Sequence, residues 1–383
     1  MKILRCVRSL APETGGPTES IRQSSVALAA RGHEVEVVSL DRSDSPWLAE
    51  FPVKVHGVGE GRGSYGYSSV YVPWLQDRHR QFDAVIVHGL WQYTSVGAWR
   101  ALRATGTPYF VFPHGMLDPW FNRTYALKHL KKIFYWPWAE YRVLRDAAAV
   151  LFTSEQERRL ARESFAPYAC NEAVVSYGTA APPVELAAAR EEFFRRFPAL
   201  RGRAFLLFLG RLHEKKGVDL LIDAFVNAAG DSEHLVIAGP AGAADYRARL
   251  DRLAEGRPGA ITFTGMLRGE VKWGALAAAD AFVLPSHQEN FGIAVVEALA
   301  CGTPALISDQ VNIWREVVSD GAGYVEQDNA DGVTRLLRRW FATPEAERAQ
   351  MRLAARACFA QHFEITRATD SLLSILQRVA DLR

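Results

Sequence analysis

The sequence predicts an α/β protein built from two doubly wound, Rossmann-like domains. Short apolar runs alternate with longer stretches of helical periodicity along the chain, as the strands and covering helices of a parallel sheet do. Two such series are separated by Tyr177-Gly178-Thr179 and Pro182-Pro183, turn-forming residues with no periodicity. A chain of 383 residues, 49% of them apolar, is also too long for one ordinary core and has material for two.

In order, the first series contains an apolar run at the N-terminus, a turn at Gly15-Gly16-Pro17, a helical stretch over 19–30 and a strand over 35–39. Strands follow at 84–88, 109–113 and 150–153, with helical stretches between them. The second series places strands at 205–210, 234–239, 261–264, 281–284 and 305–308. It adds a helix over 218–228 and a short helix over 293–300 closed by Cys301-Gly302-Thr303-Pro304. Residues 345–383 read as helical. The expected division is a first domain over 1–178, a second over 179–365, and a terminal helix over 366–383 that returns to the first domain.

Composition excludes several classes. Forty-five basic against 43 acidic residues leave a formal charge of +2, which argues against a nucleic-acid binder. Cys6, Cys170, Cys301 and Cys358 are scattered, with no spacing suited to zinc or to a disulfide framework, and fit reduced thiols in the cytoplasm. The start, Met1-Lys2-Ile3-Leu4-Arg5, lacks the apolar segment of a signal peptide, and no stretch approaches the roughly 18 apolar residues of a membrane span. A soluble or membrane-peripheral protein is expected. The glycines of Gly57-Val58-Gly59-Glu60-Gly61-Arg62-Gly63 are out of register for GxGxxG and precede no helix, so a nicotinamide cofactor is disfavoured.

Two segments carry chemistry. Glu289-Asn290-Phe291-Gly292 precedes the 293–300 helix, which holds a second carboxylate at Glu297. A helix start offers unpaired N–H groups and a positive dipole end to a phosphate, with carboxylates on either side to accept sugar hydroxyls. Upstream, the 205–210 strand runs into Arg211-Leu212-His213-Glu214-Lys215-Lys216-Gly217. Taken alone that loop reads equally well as an ordinary solvated surface. In company with the glutamate pair, Arg211 and Lys216 supply the guanidinium and ammonium that a departing diphosphate requires. The chain has no Asp-x-Asp to hold a divalent ion on a diphosphate, so no metal is expected.

These motifs, with Glu297-Ala298-Leu299-Ala300-Cys301-Gly302-Thr303-Pro304, resemble glycosyltransferase family 4 over nearly the whole chain. The resemblance implies the GT-B fold with an active site in the cleft between its domains, a nucleotide sugar as donor, retention of configuration and no metal. It assigns Glu289 to hydroxyls of the donor sugar, Glu297 to the ribose, and Arg211 with Lys216 to the diphosphate. The amides of Phe291, Gly292, Ile293, Ala294 and Val295 approach the sugar and phosphates. Gly15-Gly16 resembles the family's glycine loop, although by itself it is a plain turn. Pro113-His114-Gly115 places His114 at a strand end, where the family has a histidine on the donor sugar. Base contacts fall near Gly239 and Met266, with uracil and guanine both open. Asp118 is a candidate for orienting the acceptor.

The chain departs from the family at Ser308-Asp309-Gln310-Val311-Asn312, where many members carry a Gly-Gly pair, and at Asn290, often glycine. Both departures bear on which sugar is used. Residues 120–145 interleave Arg123, Lys128, Lys131, Lys132, Arg142 and Arg145 with Phe121, Tyr125, Phe134, Tyr135, Trp136, Trp138 and Tyr141. The segment suits a membrane interface, and equally a domain-packing helix with a solvated face, broken at Pro137. The expected reaction is sugar transfer to a glycan or lipid-linked acceptor in bacterial exopolysaccharide or lipopolysaccharide assembly. The rivals are another GT-B activity, such as a phosphorylase or epimerase, and a silent sugar-nucleotide-binding partner.

Overall fold

The computed structural model describes residues 1–12, 16–124 and 126–381, and forms two compact units: Met1–Gly178 with Ile365–Arg383, and Thr179–Glu364. Gly15 and Tyr125 lie outside the described residues.

In the first unit seven strands form one parallel sheet: β1 Lys2–Val7, β2 Glu34–Ser39, β3 Lys54–Gly57, β4 Ala84–His88, β5 Tyr109–Phe112, β6 Ala149–Phe152 and β7 Glu172–Val174. Their order is β3-β2-β1-β4-β5-β6-β7. Ile3 on β1 pairs with Val35 on one side and Ala84 on the other. The central strands are buried along their length, as helices on both faces demand. The second unit repeats the design with β8 Phe205–Leu209, β9 His234–Ala238, β10 Ile261–Gly265, β11 Ala281–Leu284, β12 Ala305–Ser308 and β13 Gly323–Glu326, ordered β10-β9-β8-β11-β12-β13.

Three strands escape the sequence reading: β3, β7 and β13. All are short and lie at sheet edges, so none needs the continuous apolar run that marks an interior strand. The first helix spans Gly16–Ala30, so Gly16 belongs to its first turn and not to the preceding loop. Pro17 follows it, and its fixed φ favours a helix start there. The single helical stretch expected over 345–383 is two helices, Glu345–Cys358 and Ile365–Asp381, parted by a π turn over Phe359–Phe363. Residues 120–145 fold as Trp120–Thr124, Ala126–Tyr135, a 3-10 turn at Trp136–Trp138 and Glu140–Arg145. Among the described residues no helix is long and apolar enough to cross a membrane.

Ile365–Asp381 packs its apolar face on the first unit. Leu372, Leu373 and Leu376 join Ile3, Leu28, Ile86 and Phe112 in one cluster, and Arg31 pairs with Asp370 at 2.7 Å. On the opposite face of the sheet, Glu140 is fully buried. Its Oε1 accepts from the Trp91 amide at 2.7 Å and from Ser95 Oγ at 2.9 Å, while Oε2 has no partner among the described residues. Burial pushes this carboxyl up to about 7, against the opposing pull of those two bonds and of Lys132.

Because the folded pKa of Glu140 lies above the unfolded value, the favourable term is full below about pH 4.5 and is lost as pH rises through about 7. Urea titrations should show Glu140→Gln gaining on wild type by on the order of 3 kcal/mol between pH 4 and pH 8. A difference that is flat with pH would refute the assignment.

Candidate active site

The second unit gathers its predicted residues where the strand order reverses, between β8 and β11. Ligands of doubly wound sheets bind outside the carboxyl ends of strands at such a point. The loop after β8 carries Arg211 and Lys216, and the loop after β11 carries Glu289. Close backbone approach holds these loops. A Cβ at Gly239 would stand 1.8 Å from the Gly210 carbonyl oxygen, and one at Gly217 2.2 Å from that of Pro285. Neither position tolerates a side chain without movement of the loops. Lys216 and Glu289, 73 residues apart, meet as a salt bridge with side chains only 23% and 18% exposed.

Burial, with Lys215 and Arg211 nearby, presses the Lys216 ammonium down to about 7, and the Glu289 carboxylate against it opposes that shift. Glu289 is fixed by its backbone, donating to the Gln310 carbonyl and accepting from the Asn312 amide, each at 3.0 Å. The segment 308–312, where the sequence departs from the family, is thus the backing of the Glu289 loop. Arg211 is exposed and makes no ion pair among the described residues.

Gly292, at φ 73°, caps Ile293–Ala300 as the sequence predicts, and Gly302, at φ 78°, ends it. The Thr303 amide reaches back to the Ala298 carbonyl and that of Gly302 to Leu299, both at 2.9 Å, which is a Schellman motif. Ile293 and Ala294 precede the first intrahelical bonds, so their amides face the helix start. Val295 is buried, and its amide bonds Gly292 at 2.8 Å. Phe291 is buried against Phe363, with ring centres 5.8 Å apart. Asn290 approaches Asn312 at 3.5 Å.

Glu297 is buried and bridged by Lys272 at 2.7 Å. Lys272, on the helix Gly269–Ala278, is a partner of a predicted site residue that the sequence reading missed, because only the fold brings it to the carboxylate. Met266 is half exposed beyond β10, touched by the Arg268 Nε at 2.9 Å.

In the first unit His114 follows β5 with its backbone at φ 51°, a strained conformation for a residue with a side chain. Its Nε2 lies 2.9 Å from His88 Nδ1, and the two rings stack with Phe112. Burial of this cluster, with Arg5 nearby, pushes His114 down to about 4, so it is neutral at physiological pH. The turn is pinned by Glu157, 3% exposed. One of its oxygens accepts from the Gly115 amide at 2.6 Å, and the other from the Thr153 amide and hydroxyl at 2.7 and 2.8 Å. The sequence held a signal for Glu157 in Ser154-x-x-Glu157, a capping box on the helix Glu155–Arg162, although its carboxylate serves the neighbouring strand end. Asp118 accepts from the Trp120 amide at 2.8 Å and so anchors the start of the next helix.

Residues 189–357 match the family described as glycosyl transferases group 1, and residues 15–178 match the glycosyl transferase 4-like domain. The chain is 36% identical over 178 residues to a GDP-mannose-dependent alpha-(1-6)-phosphatidylinositol dimannoside mannosyltransferase of Mycobacterium tuberculosis, a match over 46% of this chain and 44% of that relative. It is 29% identical over 261 residues to the alpha-D-kanosaminyltransferase of Streptomyces kanamyceticus, 63% of each chain. The chain therefore spans less than half the length of the first relative and under two thirds of the second. Among solved structures, sucrose-phosphate synthase from Thermosynechococcus elongatus superposes with a TM-score of 0.81 at 20% identity, covering all of both chains. Anabaena HepE, solved with UDP and glucose, superposes with a TM-score of 0.74 at 18% identity, over 100% of this chain and 99% of that one. At these identities the likeness is one of fold, GT-B.

Glu157→Ala strands the Gly115 and Thr153 amides in a buried turn, and should lower unfolding free energy by about 2–4 kcal/mol in urea titration. Loss of under half a kilocalorie would show that the turn does not depend on this carboxylate.

Proposed function

Because the chain belongs to glycosyltransferase family 4, we propose that it moves a sugar from a nucleotide-sugar donor, a UDP- or GDP-sugar, to a hydroxyl of a glycan or lipid-linked acceptor. The observation that carries this reading is the convergence of Lys216 and Glu289 at the switch point of the second sheet, beside the start of Ile293–Ala300. A cation and a carboxylate at a helix N-terminus are what a sugar diphosphate needs: charge on the phosphates and an acceptor for sugar hydroxyls. Glu297, held by Lys272, is assigned to the ribose, and Gly239 with Met266 to the base.

The reaction is read as retaining. The acceptor oxygen approaches the anomeric carbon on the face from which the diphosphate departs. The carbon–phosphate oxygen bond breaks as the new glycosidic bond forms, and the leaving phosphate takes the acceptor proton. Arg211, Lys216 and the helix amides meet the charge that develops, so turnover is expected to withstand EDTA. His114, neutral at physiological pH, serves as a hydrogen-bonding group and not as an acid.

The assay is a screen of nucleotide sugars by thermal shift and donor hydrolysis, followed by turnover on the donor found. Lys216→Ala and Glu289→Ala should each reduce turnover about 10²–10³-fold. Values within a few fold of wild type would sink the assignment.

For the acceptor side we infer contact with a membrane surface on the cytoplasmic face. Leu130, Ile133 and Phe134 are exposed on one side of Ala126–Tyr135, and Trp138 is exposed just beyond, beside exposed Lys131. Aromatic and cationic groups together fit an anionic bilayer. The protein should sediment with vesicles containing phosphatidylglycerol and not with pure phosphatidylcholine, and Phe134→Ser with Trp138→Ser should abolish this. Equal binding by the double variant would assign the segment to packing.

A further inference from the structure

Arg5 is a buried guanidinium that meets no carboxylate among the described residues. It sits on β1 with 2% of its surface exposed, and its Nη1 donates to Ser24 Oγ at 2.8 Å. It forms no ion pair among the described residues, and its Nε has no hydrogen-bond partner there. Burial presses its pKa down only to about 10, so it stays charged at neutral pH. A buried charge is costly unless an anion or a full set of polar partners meets it.

Arg5 lines a small cavity of about 20 Å³ together with Ser20, Ser24, His88, Tyr177 and Thr369, all in the first unit. His88, 5% exposed, brings a second buried atom without a partner, Nε2. The volume exceeds the ~10–15 Å³ that one water requires, so there is room for a small ion. The other polar side chains that line it carry hydroxyls. Tyr177, hydrogen-bonded to Ser20, keeps its proton because burial raises it to about 12.

We propose that this cavity is an internal site for a monatomic anion of chloride size, held between Arg5 and His88. A water would satisfy the two orphaned nitrogens but leave the guanidinium charge uncompensated, whereas a halide does both. The ion also ties the sheet to the Ile365–Asp381 helix, whose Ala368, Thr369 and Leu372 line the cavity. The site fixes a tautomer as well. A neutral His88 that donates to the ion from Nε2 accepts at Nδ1, so His114 donates from Nε2 and keeps its Nδ1 lone pair free to accept.

Crystals of the full chain grown in bromide should show an anomalous peak in this cavity, within bonding distance of Arg5. The melting temperature in chloride should exceed that in gluconate of equal ionic strength by about 2 °C or more. That difference should vanish in Arg5→Met. If this variant does not fold, His88→Phe removes the other partner and takes its place. A water without anomalous signal, with identical melting in chloride and gluconate, overturns the proposal. A chloride effect that persists in the variant, with no peak in the cavity, overturns it equally.

Discussion

Close approach of backbone to backbone at the carboxyl ends of β8, β9 and β11 sets the geometry of the second unit. Gly239 lies against the Gly210 carbonyl and Gly217 against that of Pro285, so three loops share a space that side chains would fill. Lys216 is carried inward by that contact until its ammonium meets Glu289, and Glu289 in turn leans on the 308–312 backbone. Polar groups here are positioned by main chain, which cannot relax as a side chain does. The proposed diphosphate site would gain from this, because its charges are in place before the ligand arrives.

The first unit follows a different logic. Its apolar sheet carries several buried polar groups near the carboxyl ends of the central strands: Glu157 under the His114 turn, Glu140 under Trp91, and Arg5 beside His88. Each costs desolvation, and each is answered differently. Glu157 is satisfied by three N–H and O–H donors, and Glu140 is pushed toward its neutral form. Arg5 cannot neutralise, which is why it points to a partner from outside the chain. The strained backbone at His114 and at Trp91, φ 51° and 63°, occurs where these buried groups hold the turns. Glu157 accepts from the amide of Gly115 and Glu140 from that of Trp91. Strain of this kind persists only where surrounding bonds over-determine it.

Local chemistry was enough to read most of this chain. Interior strands announce themselves because burial on both faces demands uninterrupted apolar residues, and glycines at 217, 292 and 302 announce turns that other residues avoid. Ile293–Ala300 and Val218–Ala228 could be delimited to the residue from their flanking glycines and apolar faces. So could the pairing of cation and carboxylate chemistry in one half of the chain. Edge strands β3, β7 and β13, the π turn at Phe359–Phe363 and the partners Lys272 and His88 were not legible in that way, and the capping box that marks Glu157 does not reveal its bonds to the neighbouring strand end. Their roles come from contacts between residues far apart in sequence, such as Lys272 with Glu297, and from burial that depends on what is packed above. Composition and periodicity report what a segment prefers. Only the assembled sheets decide which charge ends beside which, and what a buried arginine such as Arg5 faces.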